Sequence, residues 1–337
     1  MRRRRYLAAG GGLAATLTGS VEAIEREVAR RRAVQDDGTT GVRIVETNAP
    51  VEGGSLLEVS VAVENTGTAA VRATVESFYE GEHRSTVETT VGPGETETID
   101  YFSYRTYPVS QDETVTIRFE TDDDTAERTV DVLAVEELDT AQLSPDPELT
   151  VQPGTTVLFE VESDALGEYG GRTQWFVDGE YVGWSMGPWF STYYGHRGAD
   201  YWQTTFDSAG TYEVAAAVGD DEPRRATWTI TVAETGTAAP TIEGKRPADE
   251  SLAVTTDESI ELELDVAHPD GALDRVVWWL GHADVILGET AVSGSEDTAT
   301  LTLESGCHGC PIITWVISEN GTITSERPWV IDDVGET

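Results

Sequence analysis

The amino-acid sequence predicts an all-β protein with three β-sandwich domains in tandem, preceded by an N-terminal export signal or short helical stalk. Apolar and polar residues alternate over short runs, as they do after Tyr212 in "TYEVAAAV", which is the pattern of a half-buried strand. Turn-forming clusters separate these runs, and helical periodicity is almost absent. The pattern recurs about every 100 residues, so a chain of 337 residues accommodates three copies.

Net charge is the strongest feature of the composition. The chain has 62 acidic and 22 basic residues, a net charge of −40, and Lys245 is its only lysine. Such a field repels nucleic-acid phosphates and anionic lipids, so neither is an expected partner of the body. Nine Trp and 11 Tyr, with many alternating Val, Leu and Ile, argue against disorder. We interpret the charge as adaptation to concentrated salt, the alternative being an ordinary acidic secreted protein.

The first 36 residues differ from the rest, since they hold eight arginines and four acidic residues. "MRRRRYLAAGGGLAATLTGS" has adjacent arginines followed by a weakly apolar stretch, which resembles a twin-arginine export signal. Residues 21–35 predict a short helix or stalk. The expected location is therefore extracellular or at the cell surface, with membrane contact only through an uncleaved N-terminal segment. The alternative is an unprocessed basic tail.

Each copy is predicted to contain a core strand with period-2 alternation. These strands are "LEVSVAV" (Leu57, Val59, Val61, Val63), "VLFEV" (Val157, Phe159, Val161) and "IELELDV" (Ile260, Leu262, Leu264, Val266). An aromatic residue follows each strand at a matching distance, and an alternating run closes each copy. The aromatic residues are Phe78, Trp175, and either Trp278 or Trp279; the closing runs contain Val130 and Val132, Trp228, Ile230 and Val232, and Trp329 and Ile331.

Residues 42–134 resemble a CARDB-type surface β-sandwich. The match lies in "VSVAVENTGTAAVRATVESFYEGE" and "VGPGETETI", through the Asn65-Thr66-Gly67 motif after the core strand and Pro93-Gly94 before a later strand. What this resemblance implies is a non-catalytic extracellular domain with a spacing or adhesive role.

Residues 139–234 resemble a PKD-type domain through "QPGTTVLFEVES", "QWFVDGEYVG" and "FDSAGTYEVAAAV". The Trp175-to-Gly179 motif is one residue shorter than the family's usual Trp-x-Phe-Gly-Asp-Gly. Tyr212 stands where sandwich domains often place a corner tyrosine, and Val214 where antibody domains keep a cysteine. Residues 241–333 are similar, more loosely, to Ig-like or PKD-like domains, which carry the same functional implication.

Ten of the 27 aromatic residues fall within residues 175–202 without a strand period. One interpretation is that they pack against each other and a neighbouring domain and stiffen the joint. The other is an exposed platform within residues 181–202 that binds a glycan or a partner protein. Its candidate ligand-binding residues are Trp184, Trp189, Tyr193, Tyr194 and Trp202.

The pattern "GWSMG" matches the Gly-x-Ser-x-Gly of a nucleophile elbow and makes Ser185 a remote candidate nucleophile, with His196 nearby. Such an elbow requires a strand that turns sharply into a helix, whereas Pro188 and an aromatic run follow Ser185. We therefore expect no catalytic residue, and an esterase is only a remote alternative.

The only two cysteines lie in "ESGCHGCP". A disulfide between Cys307 and Cys310 is the favoured interpretation for an exported chain, against a zinc site completed by histidines or a redox motif. "ISENGTITS" predicts a type I′ hairpin at Asn320-Gly321, and Asn320 is also the only candidate glycosylation acceptor. The acidic clusters "TDDDTAE" and "GDDEPRR" are interpreted as solvated turns, so no metal or cofactor is expected.

Together these features predict a non-catalytic spacer, adhesion or interaction array whose partners are other surface proteins or glycans. The alternative is a carbohydrate-binding protein that uses the aromatic loop.

Lowering the salt concentration should loosen the protein. Below about 0.5 M salt, screening weakens and the carboxylates repel one another, so near-UV circular dichroism should decrease in a salt titration. A spectrum that stays constant down to dilute buffer would contradict the interpretation of the charge as salt adaptation.

Overall fold

The computed structural model describes residues 39–166, 172–185, 192–219, 222–255, 259–281, 285–304 and 306–335. The predicted signal and stalk, residues 1–36, lie outside the described residues. Strands make up most of the described chain, and the predicted all-β class is confirmed. The helical segments within it are α1 (Thr192–Arg197) and two 3₁₀ helices (Thr140–Gln142 and Asp164–Leu166).

The chain forms two compact units. One comprises Met1–Thr47, Val59–Phe102 and Thr116–Thr129, and the other Asn48–Glu58, Ser103–Val115 and Val130–Thr337. The second unit therefore contains both of the sandwiches predicted at 139–234 and 241–333. The domain boundaries derived from the sequence stay predictions.

The described strands fall into three sets of eight with the same topology. In the first set, the sheets have the orders β1-β3-β6 and β2-β8-β7-β4-β5. The strands of this set are β1 (Thr40–Thr47), β2 (Val51–Glu52), β3 (Leu56–Asn65), β4 (Val71–Tyr79), β5 (Glu82–Val91), β6 (Thr96–Arg105), β7 (Glu113–Glu120) and β8 (Thr125–Leu133).

The second set repeats this order as β10-β16-β15-β12-β13, with β11 pairing both β9 and β14. Its strands are β9 (Leu143–Ser144), β10 (Glu148–Val151), β11 (Thr155–Glu162), β12 (Thr173–Val177), β13 (Glu180–Ser185), β14 (Ala199–Phe206), β15 (Gly210–Val218) and β16 (Arg224–Val232).

The third set has the orders β17-β19-β22 and β24-β23-β20-β21, with β18 paired to β24. Its strands are β17 (Thr241–Arg246), β18 (Ser251–Thr255), β19 (Ile260–Ala267), β20 (Leu273–Leu280), β21 (Val285–Gly294), β22 (Glu296–Leu303), β23 (Cys310–Ser318) and β24 (Thr322–Gly335). In every set the second strand runs parallel to the eighth.

Tryptophan side chains fill the cores of the second and third sandwiches. Trp228 and Trp329, on the closing strands, are buried, and each donates its indole N–H to a proline carbonyl oxygen 2.9 Å away, that of Pro145 or of Pro247. A buried indole N–H needs such an acceptor, because leaving it unpaired costs desolvation energy. The bond therefore ties the eighth strand to the connection between the first and second strands.

The motif that carries the CARDB resemblance has a structural role in the first compact unit. Asn65 is fully buried, and its side-chain amide donates to the carbonyl oxygens of Ala69 and Val91 and accepts from the Gly67 N–H. The Gly94 N–H, in the second half of the motif, donates to the Asn65 carbonyl oxygen at 2.9 Å. A single buried asparagine thus satisfies the backbone of the turns that the two motifs form.

Part of the first acidic cluster anchors a strand rather than forming only a solvated turn. The Asp123 carboxylate accepts from the Thr40 N–H, and the Asp124 carboxylate accepts from the Val42 N–H, both at 2.9 Å. Strand β1 lies at the edge of its sheet, and the two aspartates accept hydrogen bonds from N–H groups of this edge strand.

The second and third sandwiches share one sheet of eight strands. Strand β11 pairs β24 through Thr156↔Ile323 and Val157↔Thr322, and the Leu158 N–H donates to the Gly321 carbonyl oxygen at 2.8 Å. The β23–β24 hairpin therefore attaches to the second sandwich through backbone hydrogen bonds.

The shared sheet buries both faces of its central strands. On β11, Val157, Phe159 and Val161 face the core as predicted, yet Leu158 and Glu160 on the opposite face are also buried. The third sandwich shows the same feature, because Trp278 lies in its core whereas Trp279 lies on the face shared with the second sandwich.

Three local predictions can be compared with the structure. The corner tyrosine is confirmed, because the Tyr212 hydroxyl donates to the Ser208 carbonyl oxygen at 3.0 Å and Val214 is fully buried. Phe78 follows its core strand at the distance at which Trp175 follows the next, but it lies outside the core, because the inward positions of β4 are Ala73, Val75 and Ser77.

The predicted hairpin at Asn320-Gly321 is present, but its turn is not type I′. Type I′ requires a positive φ at both central residues. Gly321 has a φ of 72°, whereas Asn320 is not among the described residues with positive φ. The loop has three residues between Ser318 and Thr322, and glycine alone adopts the left-handed conformation that closes it.

Candidate functional site

The aromatic residues of segment 175–202 divide among the core, the joint between two sandwiches and the surface. Trp202, a predicted ligand-binding residue, belongs to the core group. Its ring stacks on Trp175 with centroids 5.7 Å apart and packs equally closely on Phe159. Strand β14 places the half-buried Trp202 over the core of the second sandwich, and its ligand-binding role stays a prediction.

Tyr193 and Tyr194 belong to the joint. Helix α1 places them on the outer face of the shared sheet, where they pack with Trp279 and Trp315 of the third sandwich. Tyr194 is 1% exposed and Tyr193 9%. The prediction that both rings bind a ligand is wrong, and the alternative interpretation, packing against a neighbouring domain, is confirmed for these two residues.

A buried ion pair lies beside these rings. Glu160 on β11 and Arg275 on β20 are almost fully buried, and Nη2 of Arg275 donates to both carboxylate oxygens of Glu160, at 2.8 and 2.7 Å. The Tyr194 hydroxyl donates to the same carboxylate at 2.8 Å, and Asp274 also contacts Arg275. Because charges buried without partners are costly, this network requires the two sandwiches to remain docked.

A second polar chain crosses the joint at its rim. The Tyr193 hydroxyl bonds to the Glu289 carboxylate on β21, and Arg197 bonds to the Tyr193 hydroxyl oxygen. Burial, aided by the hydrogen bond to Glu289, raises the pKa of Tyr193 from 10.0 to about 12. Burial, with the nearby Glu160 carboxylate, raises the pKa of Tyr194 well above its usual value. Both phenols therefore stay protonated at neutral pH.

Tyr181 and Trp184 form the surface group on β13, where they are 37% and 39% exposed. They pair across the strand with Phe176 and Gln174, which lie two residues apart on β12 and share one face. Val182 is an additional residue in β13, so this bulge brings Tyr181 and Trp184 to the same face although they are three residues apart. Among the predicted platform residues that the structure describes, Trp184 is thus the one placed on the surface.

Two further candidates fall at the edge of the description. Trp189 lies outside the described residues. Ser185 is the last residue of β13 and pairs with Thr173, and residues 186–191, which follow it, lie outside the description. The strand-to-helix turn that a nucleophile elbow needs would fall in these residues, so the candidate role of Ser185 stays a prediction.

Cys307 and Cys310 are joined by a disulfide, with Cα atoms 5.4 Å apart. The bridge closes the turn before β23, where the Cys310 N–H donates to the Cys307 carbonyl oxygen at 3.0 Å. Both cysteines contact the core of the third sandwich. The arrangement stabilises a turn, as predicted for this pair.

Asn320, the candidate glycosylation acceptor, is half-buried. Its amide oxygen accepts hydrogen bonds from the Ser318 and Thr322 hydroxyls, and Thr322 itself is fully buried. These bonds hold the acceptor against the loop instead of presenting it to solvent. These bonds engage the amide oxygen and not the amide nitrogen that a glycan would modify, and glycosylation of Asn320 stays a prediction.

In the described part of the chain, no group of three His, Cys, Asp or Glu side chains is arranged to hold a metal ion. Among the same residues, no helix has the length and apolar character needed to cross a bilayer.

Comparison with known proteins gives likenesses of fold only. No family model matches the chain. No curated protein matches it either. Among solved structures, a CARDB domain of Pyrococcus furiosus PF1109, described as in complex with di-metal ions, is 19% identical with a TM-score of 0.26, over 29% of this chain and 96% of that one.

Two tandem-domain structures are also similar. The N-terminal Ig1-2 module of the Drosophila receptor protein tyrosine phosphatase DLAR is 16% identical with a TM-score of 0.32, over 55% of this chain and 92% of that one. The fibronectin(III)-like modules of Clostridium thermocellum CbhA are 11% identical with a TM-score of 0.24, over 54% and 88%. The assignment of tandem β-sandwiches rests on the strand topology of this chain.

Removing Arg275 should destabilise the second compact unit strongly. Arg275→Ala leaves the Glu160 carboxylate buried without its partner, and we expect a loss of about 3–5 kcal/mol in the free energy of unfolding, measured by denaturant titration in concentrated salt. The control is Arg246→Ala, whose guanidinium pairs with Glu263 and Asp265 on the exposed surface and should matter little. If the double variant Glu160→Leu/Arg275→Met is no more stable than Arg275→Ala, the uncompensated charge is not the cause.

Alkaline pH should weaken the same joint. Below pH 10 the phenols of Tyr193 and Tyr194 are protonated in both the folded and unfolded states. Between pH 10 and about 12 the unfolded chain releases these protons while the folded protein retains them, so the free energy of unfolding falls as pH rises. Tyr193→Phe/Tyr194→Phe should flatten this decline in denaturation curves taken across the window. Tyr101→Phe, at an exposed ring, should leave the decline unchanged.

Proposed function

We propose that this protein is an exported, non-catalytic array of β-sandwiches that acts as a stiff spacer and interaction module at or outside the cell surface in concentrated salt. The single observation that carries the proposal is the sheet shared by the second and third sandwiches. Bending at this joint would break the backbone hydrogen bonds between β11 and β24 and expose the Glu160–Arg275 ion pair. A joint built in this way holds two domains at a fixed angle, which is what a spacer requires.

Other features support the proposed location. The N-terminal arginines and the following Gly/Ala-rich stretch resemble a twin-arginine signal. The disulfide between the only two cysteines suits an oxidising compartment. A net charge of −40 suits a solvent in which salt screens repulsion. The expected partners are other surface proteins or glycans, and no nucleic acid.

The interior of the second and third sandwiches supports a role without catalysis. Large side chains fill both cores, among them Trp175, Trp228, Trp278 and Trp329, each nearly or fully buried. The buried ionisable groups of the joint, Glu160 and Arg275, are engaged with each other rather than with an open cleft. A filled core with paired charges suits a structural element.

The stiffness of the joint can be measured by electron–electron double resonance. Spin-labelled non-natural residues at Thr229 on β16 and Glu296 on β22, both exposed, report the distance between the second and third sandwiches. We expect one narrow distance distribution in wild-type protein. Tyr194→Ala, which removes packing and the hydrogen bond to Glu160 from the joint, should broaden it.

Tyr101→Ala is the matched control, since it removes an exposed tyrosine ring outside the joint and should leave the distribution narrow. A broad distribution in the wild-type protein would contradict the proposal that the joint is a stiff spacer.

A further inference from the structure

Two exposed aromatic rings on β13 each lie beneath an arginine. The guanidinium carbon of Arg105 is 5.9 Å from the centroid of the Tyr181 ring, and that of Arg172 is 4.8 Å from the Trp184 ring. The Val182 bulge places both rings on the same face. We call these four residues, Arg105, Arg172, Tyr181 and Trp184, the arginine–aromatic patch.

Positive charge at this place is unusual in this chain. After residue 36 the sequence has 58 acidic residues and 14 basic ones. Elsewhere in the described residues, arginines such as Arg72, Arg225 and Arg246 contact carboxylates. Arg105, by contrast, forms no ion pair within the described part of the chain and lies over a ring instead. At Arg105 the patch therefore presents a guanidinium with which an external carboxylate can pair.

The guanidinium groups also decide which ligand chemistry fits. A neutral sugar binds by laying its apolar face on an aromatic face, but here an arginine already lies over each ring. A guanidinium held against a ring keeps N–H donors at its edge, which suit a carboxylate. The geometry therefore favours an acidic ligand over a neutral glycan.

The edge of strand β13 at the patch favours an acidic peptide over an acidic polysaccharide. Strand β13 is the last strand of its sheet and, among the described strands, pairs only with β12. Val182 is 45% exposed on this strand. The outer edge of such a strand offers N–H and C=O groups to an added strand, as in peptide recognition by β-augmentation. A polysaccharide has no complementary backbone to pair with such an edge.

We propose that the arginine–aromatic patch binds an extended acidic segment of a partner protein, which adds to the edge of β13 and places its carboxylates on Arg105 and Arg172. The proposal rests on the interaction role proposed above and names the chemistry of the partner. It replaces the predicted glycan platform, of which Trp184 alone among the described residues lies on the surface.

The test is fluorescence anisotropy with a labelled six-residue peptide of alternating Glu and Val, equal in length to β13, against the full chain in salt above about 0.5 M, where the protein is expected to stay compact. We expect saturable binding that weakens about tenfold in Trp184→Ala and in Arg172→Gln, since each loses a contact of roughly 1–2 kcal/mol. A peptide of alternating Lys and Val should not bind, and N-methylation of alternate peptide nitrogens should abolish binding by removing the main-chain donors.

Tyr101→Ala and Arg128→Gln serve as matched controls, because they remove an exposed ring and an arginine that are not members of the patch, and these variants should bind the peptide as wild type does. Absence of peptide binding, or equal binding by Trp184→Ala, would overturn the proposal. So would binding of polygalacturonate in place of the peptide with the same dependence on Trp184, since that assigns the patch to an anionic polysaccharide. None of these results changes the spin-label distance across the joint, so the spacer role is tested independently of the peptide-binding proposal.

Discussion

Burial of both faces of one sheet is the constraint on which the second compact unit depends. Pairing with β24 extends the outward face of β11 into the third sandwich, and the tyrosines of α1 pack on this joint face, so residues there must be apolar or neutralised. Leu158 meets the first requirement, and Glu160 meets the second through Arg275 and Tyr194. Helix α1 contributes Tyr193 and Tyr194, which pack on Trp279 and Trp315 at the same joint. The shared sheet therefore accounts for Tyr193 and Tyr194 of the aromatic segment, because these rings pack on its outer face.

Basic residues are few in this chain, 22 against 62 acidic ones, and most described arginines contact a carboxylate or an aromatic ring. Among the described residues, some guanidinium groups form cross-strand pairs on the surface, as Arg72 and Arg246 do, whereas Arg275 forms a buried pair in the joint. Exposed pairs such as Arg72–Glu88 add little to stability, because solvent weakens the attraction and two long side chains must be held in one geometry. We expect the buried pair to add specificity, because a docking that separates Glu160 from Arg275 would leave both charges buried without a partner.

The core strands could be predicted from the sequence, because period-2 alternation and turn chemistry are local signals; Val157, Phe159, Val161 and Tyr212 show this. The joint could not be predicted so easily. Leu158 and Glu160 look like outward-facing residues until a second domain covers them. The apolar runs "RVVWWL" and "PIITWVI" on β20 and β23 were the available signal, since consecutive apolar residues indicate a strand buried on both faces. The position of Trp184 depends on a bulge at Val182, which no alternation pattern reveals.

The fusion of two sandwiches through one sheet limits how the gene can evolve. Repeats joined by free linkers can be gained, lost or exchanged one at a time. Here, recombination between residues 234 and 241 would leave Leu158 and Glu160 facing water on one product, and Trp279 and Trp315 on the other. Both products would expose an apolar, partly charged surface and a strand edge, that of β11 or of β24, without its pairing partner. The last two repeats are therefore expected to be inherited as a pair, whereas single substitutions at the exposed rim of β13 can alter what the protein holds without disturbing that inheritance.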